Sequence, residues 1–288
     1  MTADLRTPPA TVLRPAGGLR LLTWPALEAS GARAAVTARA GGVSSGPYAT
    51  LNLSLSVGDD PADVRENRCR LAAAFGARPG DFVYARQVHG AGVRVVGDAD
   101  AGSGAHSLGD AIGDADALVT ASPGVVLAIL TADCVPIVLH DPVAGLLACV
   151  HAGWRGTVAG VTAAALTAMQ RMGTRPSDVI AGIGPAVAAA RYQVGPEVAR
   201  AVTGAFGPAA AAGFVRPDPT PGAAGDRWLL DLPSANRHAL RQAGVPATNI
   251  HATDLTTGPG PGHFFSDRAA RPCGRLALVA RLGAGGAR

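Results

Sequence analysis

The segment Val125–Gly156, VVLAILTADCVPIVLHDPVAGLLACVHAGWRG, decides the fold. It holds three short apolar runs, Val125–Leu130, Pro136–Leu139 and Leu146–Val150, separated by Asp, Pro and Gly. Short runs of Val, Ile and Leu bounded by turn residues read as strands. They are nearly continuous in apolar character, so both faces of the sheet must be covered and helices are expected over it. The last run passes through His151-Ala152-Gly153-Trp154-Arg155-Gly156 into an Ala-rich stretch, Thr157–Met172, expected as a buried helix.

Outward from this segment the same alternation continues. Further strands are expected near Ala34–Thr37, Val93–Val96, Ala117–Thr120, Val179–Ile183 and Leu276–Arg281. Asp60 caps an expected helix that has Pro61 at its first position and runs through Leu71. Two more helices are expected near Pro196–Phe206 and Pro233–Ala243, and the Pro/Ala/Gly stretch Gly207–Gly225 reads as a surface loop. The reading is a mixed, layered α/β fold, with residues 1–18 a flexible Pro-rich leader and residues 19–288 a single catalytic domain.

Composition narrows the function. Hydrophobic residues make up 48% of the 288 and charged residues 16%, a globular balance. All 25 basic residues are arginine, which excludes Schiff-base lysine chemistry and a P-loop lysine. Arginine is therefore the only fixed side-chain cation for an anionic ligand. A net charge of +4 spread along the chain, with 4% aromatics, argues against a nucleic-acid surface. No apolar run reaches membrane-spanning length, and no signal-like apolar segment opens the chain. The four cysteines show no paired spacing, so a reducing cytoplasm is expected.

Three segments carry chemistry: Gln87-Val88-His89-Gly90, Thr131-Ala132-Asp133-Cys134-Val135-Pro136, and His151 to Gly156. The glycine-rich strand-to-helix turn Gly153–Gly156 presents backbone N–H groups to an anion, and Arg155 could add a bidentate contact. A tight turn with a solvated arginine explains the same residues equally well. Imidazole and thiolate are side chains that zinc prefers, and three ligands with a fourth position open is the pattern of a catalytic zinc. His89, Cys134 and His151 are nevertheless far apart, and spacing alone favours two loop histidines and an ordinary buried cysteine. Cys149, two residues before His151, reads as a buried thiol, and Asp114 and Asp116 could form a turn or accept hydrogen bonds behind the ligands, the turn being favoured.

Around these segments the sequence closely resembles the YfiH family, whose members bear the names laccase-domain protein, polyphenol oxidoreductase, purine nucleoside phosphorylase and peptidoglycan editing factor. The likeness extends to Arg39–Ser44, Leu51-Asn52-Leu53, Ala115–Thr120, Gly182-Ile183-Gly184-Pro185, Tyr192–Gly195, Phe264-Phe265-Ser266 and Gly274-Arg275, and spans roughly Leu21 to Leu282. The sequence departs from the family pattern at Ala40, Thr256 and Asp267.

The resemblance implies a layered fold of the cysteine-hydrolase type and a zinc held by His89, Cys134 and His151, with copper the less favoured metal. It implies phosphorolysis of adenosine, inosine and methylthioadenosine, with adenosine deamination as a side reaction. Purine nucleoside and phosphate would be the partners, with Arg39, Gly153, Arg155 and Gly156 around the phosphate. Two alternatives stand beside it: a cysteine or zinc amidase editing a muramyl peptidoglycan precursor, and a non-catalytic ligand-binding protein with a structural zinc. The chain is expected as a monomer or weak homo-oligomer.

Overall fold

A computed structural model of the chain describes residues 9–220, 226–258 and 262–283. Two six-stranded mixed sheets lie face to face. The first orders β1 (Val12–Ala16), β2 (Leu19–Thr23), β3 (Ala32–Thr37), the C-terminal strand Leu276–Leu282, β7 (Val126–Thr131) and β4 (Phe82–Tyr84). The second orders the strand Ile250–Ala252, β10 (Ile180–Ile183), β8 (Val135–Asp141), β9 (Leu146–Ala152), β6 (Ala117–Thr120) and β5 (Val93–Val95).

Strand parity explains the layers. On β9, Leu146, Ala148 and Val150 face one core, while Leu147 and Cys149 face another. The second core lies between the sheets, where Leu147, Cys149 and Val138 meet Leu127, Ile129, Leu276 and Leu278. Beyond the second sheet lie the helices α3 (Trp154–Val158), α4 (Val161–Arg171), α5 (Pro196–Phe206), α6 (Pro208–Ala211) and α7 (Leu232–Gln242). Val161, Ala165, Leu166 and Met169 of α4 seal that face. Beyond the first sheet, α2 (Pro61–Phe75) covers Leu21, Ala35 and Val126 with Leu71, Ala72 and Phe75. The expected continuous apolar strands are thus buried on both sides.

Trp24 holds the layers in register. It leads into α1 (Pro25–Ala29), is fully buried in the inter-sheet core, and donates Nε1–H to the His251 carbonyl at 3.0 Å. A Cβ at Gly182 on β10 would lie 2.8 Å from both Trp24 Cε2 and Val138 Cγ1. Only glycine lets the ring approach the sheet.

Several expectations need correction. Val12–Gly18, placed in the leader, belongs to the fold: β1 pairs antiparallel with β2 around Gly17-Gly18, both at positive φ (55° and 82°), as a two-residue hairpin requires. Residues 1–8 lie outside the described residues. The helix expected over Thr157–Met172 starts earlier and is broken, because Gly160 at φ 81° separates α3 from α4. The expected helix from Pro61 continues past Leu71 to Phe75, where Gly76 at φ 65° ends it. The stretch Gly207–Gly225 contains α6 and the strand Val215–Pro217, which pairs with Trp228–Leu230, and residues 221–225 lie outside the described residues. Cys69 is exposed on α2.

Candidate metal and catalytic site

The three ligand candidates converge. One ring nitrogen each from His89 and His151 and Sγ of Cys134 all lie within 4.8 Å of one another. Each comes from a different kind of position. Cys134 sits on the turn by which the chain leaves β7 in the first sheet and enters β8 in the second. His151 lies near the end of β9, with the parity of Leu147 and Cys149, so its ring points between the sheets. His89 is on the exposed loop after β4, its ring edge-on to that of His151 with centroids 4.8 Å apart.

The backbone is forced into place at two of these positions. His89 has φ 58° and Asp133, next to Cys134, has φ 84°, the only non-glycine positive values among the described residues. Such left-handed conformations cost energy and persist where surrounding bonds over-determine them. At Asp133 the restraints come from the C-terminal third: its carboxylate accepts from Thr257 Oγ1 and from the Arg268 N–H at 2.6 Å. At His89 they come from Asp116, whose carboxylate accepts the N–H groups of Val88, His89 and Gly90 at 3.2, 3.0 and 2.6 Å.

Asp116 takes the less favoured of its two expected roles, that of a hydrogen-bond acceptor behind the ligands. Fully buried, it also accepts from Nδ1 of His151 at 2.8 Å. Nδ1–H bonded to a carboxylate leaves Nε2 as the free, basic nitrogen, the arrangement that orients metal-ligating histidines. Burial pushes the Asp116 carboxyl up, but the His151 hydrogen bond and the Gly90 N–H outweigh it and hold it below the ordinary carboxylate range. Gln87 supports the same loop from the other side. Its amide donates to the Leu130 carbonyl at 2.7 Å and accepts the Leu130 N–H at 2.8 Å, standing in for a strand partner where β4 has ended.

Burial would raise the Cys134 thiol, yet the charge of His151 and hydrogen bonds from His151 and His89 lower it to about 6. His151 moves the opposite way: burial lowers it, but the Cys134 thiolate and the Asp116 hydrogen bond raise it to about 9. Both shifts favour a thiolate facing an imidazolium when no metal is bound. Cys149 stays out of the cluster, fully buried between the sheets, where burial pushes its thiol strongly up.

The donor set fits one metal ion. Coordination at ~2.0–2.3 Å needs ligand atoms about 3.5 Å apart, a closure of the 4.8 Å cluster that would fall on His89, the exposed member of the three. Gly153 clears the space: a Cβ there would lie 3.0 Å from both Cys134 Sγ and His89 Cδ2. Gly156 is equally constrained, because its Cβ would come within 2.8 Å of the Gly90 carbonyl.

The expected anion residues divide. Gly153 and Gly156 pack against the cluster, and Arg155 is exposed beside it, its guanidinium 4.5 Å from the centre of the Trp154 ring. Arg39 is engaged elsewhere, with Nε and Nη2 both donating to the Ala49 carbonyl and the guanidinium over Phe265 at 4.7 Å. Sequence reasoning did not single out Tyr192 and Arg268 as site residues. The Arg268 guanidinium lies over the Tyr192 ring at 5.2 Å, and the Arg268 N–H binds the residue before Cys134.

With His151 buried, Cys134 half-buried and His89 exposed, this is a cluster in an α/β protein that could hold a metal ion or, without one, present a thiol beside two imidazoles. The chain belongs to the YfiH family: residues 33–283 match the family model described as multi-copper polyphenol oxidoreductase laccase. It is 48% identical over 251 residues to a purine nucleoside phosphorylase of Streptomyces coelicolor, covering 86% of this chain and 94% of that one. It is 44% identical over 230 residues to a purine nucleoside phosphorylase of Deinococcus radiodurans, covering 80% and 81%. The crystal structure of YlmD from Geobacillus stearothermophilus superposes with a TM-score of 0.86 at 35% identity, covering 96% of this chain and all (100%) of that one. Bacillus licheniformis YfiH gives 0.85 at 31% identity, covering 91% and 96%. No helix among the described residues is long and apolar enough to cross a membrane.

Proposed function

We propose that this chain is a zinc-dependent purine nucleoside phosphorylase of the cytoplasm, acting on adenosine, inosine and methylthioadenosine and deaminating adenosine as a side reaction. The observation that carries the reading is the three-donor cluster with one side open and His151 oriented by Asp116, in a chain whose relatives bear the phosphorylase name. His89, Cys134 and His151 would hold the zinc, which when bound supplies Lewis acidity and lowers the pKa of a water toward neutrality.

The chain's own residues set the geometry. Asp116 keeps His151 Nε2 and the His89 loop aimed at one point, and the bare Gly153 leaves room beside them. In phosphorolysis an oxygen of hydrogen phosphate bonds to the ribose C1′, and the bond from C1′ to the base nitrogen breaks with its electron pair leaving on the base. The proton of hydrogen phosphate ends on that nitrogen, so charge and atoms balance. Arg155 offers a fixed cation at the open side for the incoming dianion. Purified protein should contain about one zinc per chain and release purine base only when phosphate is added. Absence of phosphate-dependent release from any purine nucleoside would sink the proposal.

A second reading rests on the thiolate at about 6 and the imidazolium at about 9. Cys134 Sγ would attack the carbonyl of an amide in a muramyl precursor, the amine would leave with a proton from His151 Nε2, and water would cleave the thioester. Metal analysis separates the two, because a thiolate bound to zinc is not free to attack. The structural-zinc reading lacks a fourth protein ligand among the described residues, since Cys149 lies in the inter-sheet core. A multi-copper site needs more histidines in reach, whereas His140 bonds the Leu146 and Ser30 carbonyls and His238 packs on Phe206 and Phe214.

A further inference from the structure

The outer face of the first sheet carries a cavity that no member of the His89–Cys134–His151 cluster lines. Residues two apart on a strand share a face. Leu22 and Trp24 of β2 point into the inter-sheet core, which turns Leu21 and Thr23 outward. Arg14 shares the outward parity of Ala16 on β1, and Arg33 that of Ala35 on β3. All six residues turned outward line the cavity, with Glu28 of α1 at its rim. Its volume is about 450 Å³, the size that holds a small organic ligand.

Strand register brings the polar groups of this face together. Thr23 stands opposite Val12 on β1 and opposite Ala35 on β3. Arg14 and Arg33 lie two residues beyond those partners, so they are diagonal to Thr23 on either side. Diagonal neighbours are about 7–8 Å apart, within reach of a long side chain. Thr23 is 6% exposed, and its hydroxyl is closed off from solvent with no hydrogen-bond partner among the described residues. Such a group costs stability unless something bonds it.

The lining holds two guanidiniums and one carboxylate, a single net positive charge. Glu28 is taken up by Arg14 at 3.1 Å. Arg33 stands directly across from Arg281 of the C-terminal strand, and both guanidiniums lie over the Phe75 ring, at 4.7 and 5.6 Å. Like charges directly opposite each other repel. Among the described residues neither forms an ion pair, and Arg33 donates only to the Ala74 carbonyl at 3.2 Å.

We propose that this cavity binds a small aliphatic monocarboxylate whose charged end bridges the Arg33 guanidinium and the Thr23 hydroxyl, while its apolar body covers Leu21, Ala16 and Ala35. Arg14 closes the rim. A monoanion matches the net charge of the lining, whereas a phosphate dianion exceeds it. The planar fork of arginine suits a carboxylate. The site is separate from the cluster and does not depend on the phosphorylase reading.

The probe is hexanoate, titrated into the full chain and followed by backbone amide chemical shifts, with uncharged hexanamide as its counterpart. Hexanoate should saturate and move the amides of Thr23, Arg33 and Ala35, and hexanamide should bind at least about 10-fold more weakly. Thr23→Val keeps the shape and removes the hydroxyl. Hexanoate affinity should then fall about 10-fold, while the denaturation midpoint of the free protein holds or rises, because the lost hydroxyl had no partner. Arg33→Gln should weaken hexanoate by about 10-fold or more. If that variant does not fold, the hexanamide comparison and Thr23→Val decide alone. Cys134→Ser should bind hexanoate as the parent does; loss of binding there would put the carboxylate at the cluster and overturn the proposal. No saturation below roughly 10 mM, equal affinity for hexanamide, or unchanged affinity in folded Thr23→Val also overturns it. Displacement of hexanoate by an equal concentration of inorganic phosphate would overturn the monocarboxylate assignment.

Discussion

Asp116 Oδ1 accepts both the Nδ1–H of His151 at 2.8 Å and the backbone N–H of His89 at 3.0 Å, so a single carboxylate oxygen sets two ligands of the cluster at once. One lies on a strand and the other on a loop 62 residues earlier in the chain (151 − 89).

Asp116→Asn keeps the size and removes the charge. The amide can still accept one of these bonds but presents an N–H to another donor. Zinc affinity, measured by competition with a chromogenic chelator, should fall about 10–100-fold, as found for second partners of metal-bound histidines. Affinity within two-fold of the parent would show that the carboxylate does not organise the site.

Gly153→Ala should act on the site and little on the fold. Its methyl would stand 3.0 Å from Cys134 Sγ and His89 Cδ2, so the cluster must spread. A displacement of that kind costs on the order of 10²-fold in kcat/KM. Thermal melting of the metal-free protein should shift by only a few degrees. A fully active variant would mean that the reacting groups lie elsewhere.

Gly182→Ala makes the opposite comparison. Its methyl meets Trp24 and Val138 at 2.8 Å inside the inter-sheet core, far from any ligand. Overpacking of this sort destabilises by roughly 1–3 kcal/mol. Urea denaturation should show the loss, and bound zinc per folded chain should stay at the parent level.

The thiol should titrate early in the metal-free protein. With Cys69 replaced by serine, iodoacetamide should label Cys134 with a rate that rises to a plateau around a midpoint of about 6, while the buried Cys149 and Cys273 stay unmodified. The linked stability needs its sign worked out. The lowered Cys134 adds stability that grows from pH about 6 toward the ordinary thiol value of 9.0, whereas the raised His151 gives stability that is full below 6.5 and lost toward about 9. The two slopes oppose each other across that window, so labelling should change steeply with pH while denaturant midpoints stay nearly flat. A labelling midpoint near 9 would remove the thiolate–imidazolium pair.

How far the sequence foretold this molecule depended on the range of the physics. The strands of Val125–Gly156 were legible because burial on both faces writes itself into every residue. The hairpin Val12–Thr23 was missed although Gly17-Gly18 carries its turn signal; the prolines of the first residues drew attention to disorder instead. The cluster was reached only through family likeness, because His89, Cys134 and His151 have no fixed spacing that geometry could use. Asp116 stays ambiguous between turn former and acceptor for the same reason. Its partners sit at 88–90 and at 151, and nothing local distinguishes a carboxylate that ends a turn from one that joins two segments. Arg268 carries a weaker trace still, since it reaches the site through its backbone N–H, which any residue could supply.

Asp133 is clasped by Thr257 and Arg268, which follow it by 124 and 135 residues. During synthesis, all three candidate metal donors therefore emerge long before the clasp that shapes the turn beside the sulfur. A growing chain that stops short of Thr257 holds all three candidate donors and the Asp116 bonds but not the clasp on Asp133, so on the proposed metal reading the turn beside the sulfur is set only once the Thr257 and Arg268 region has been made. Truncation from the carboxyl end should thus silence the protein while leaving its donor residues intact.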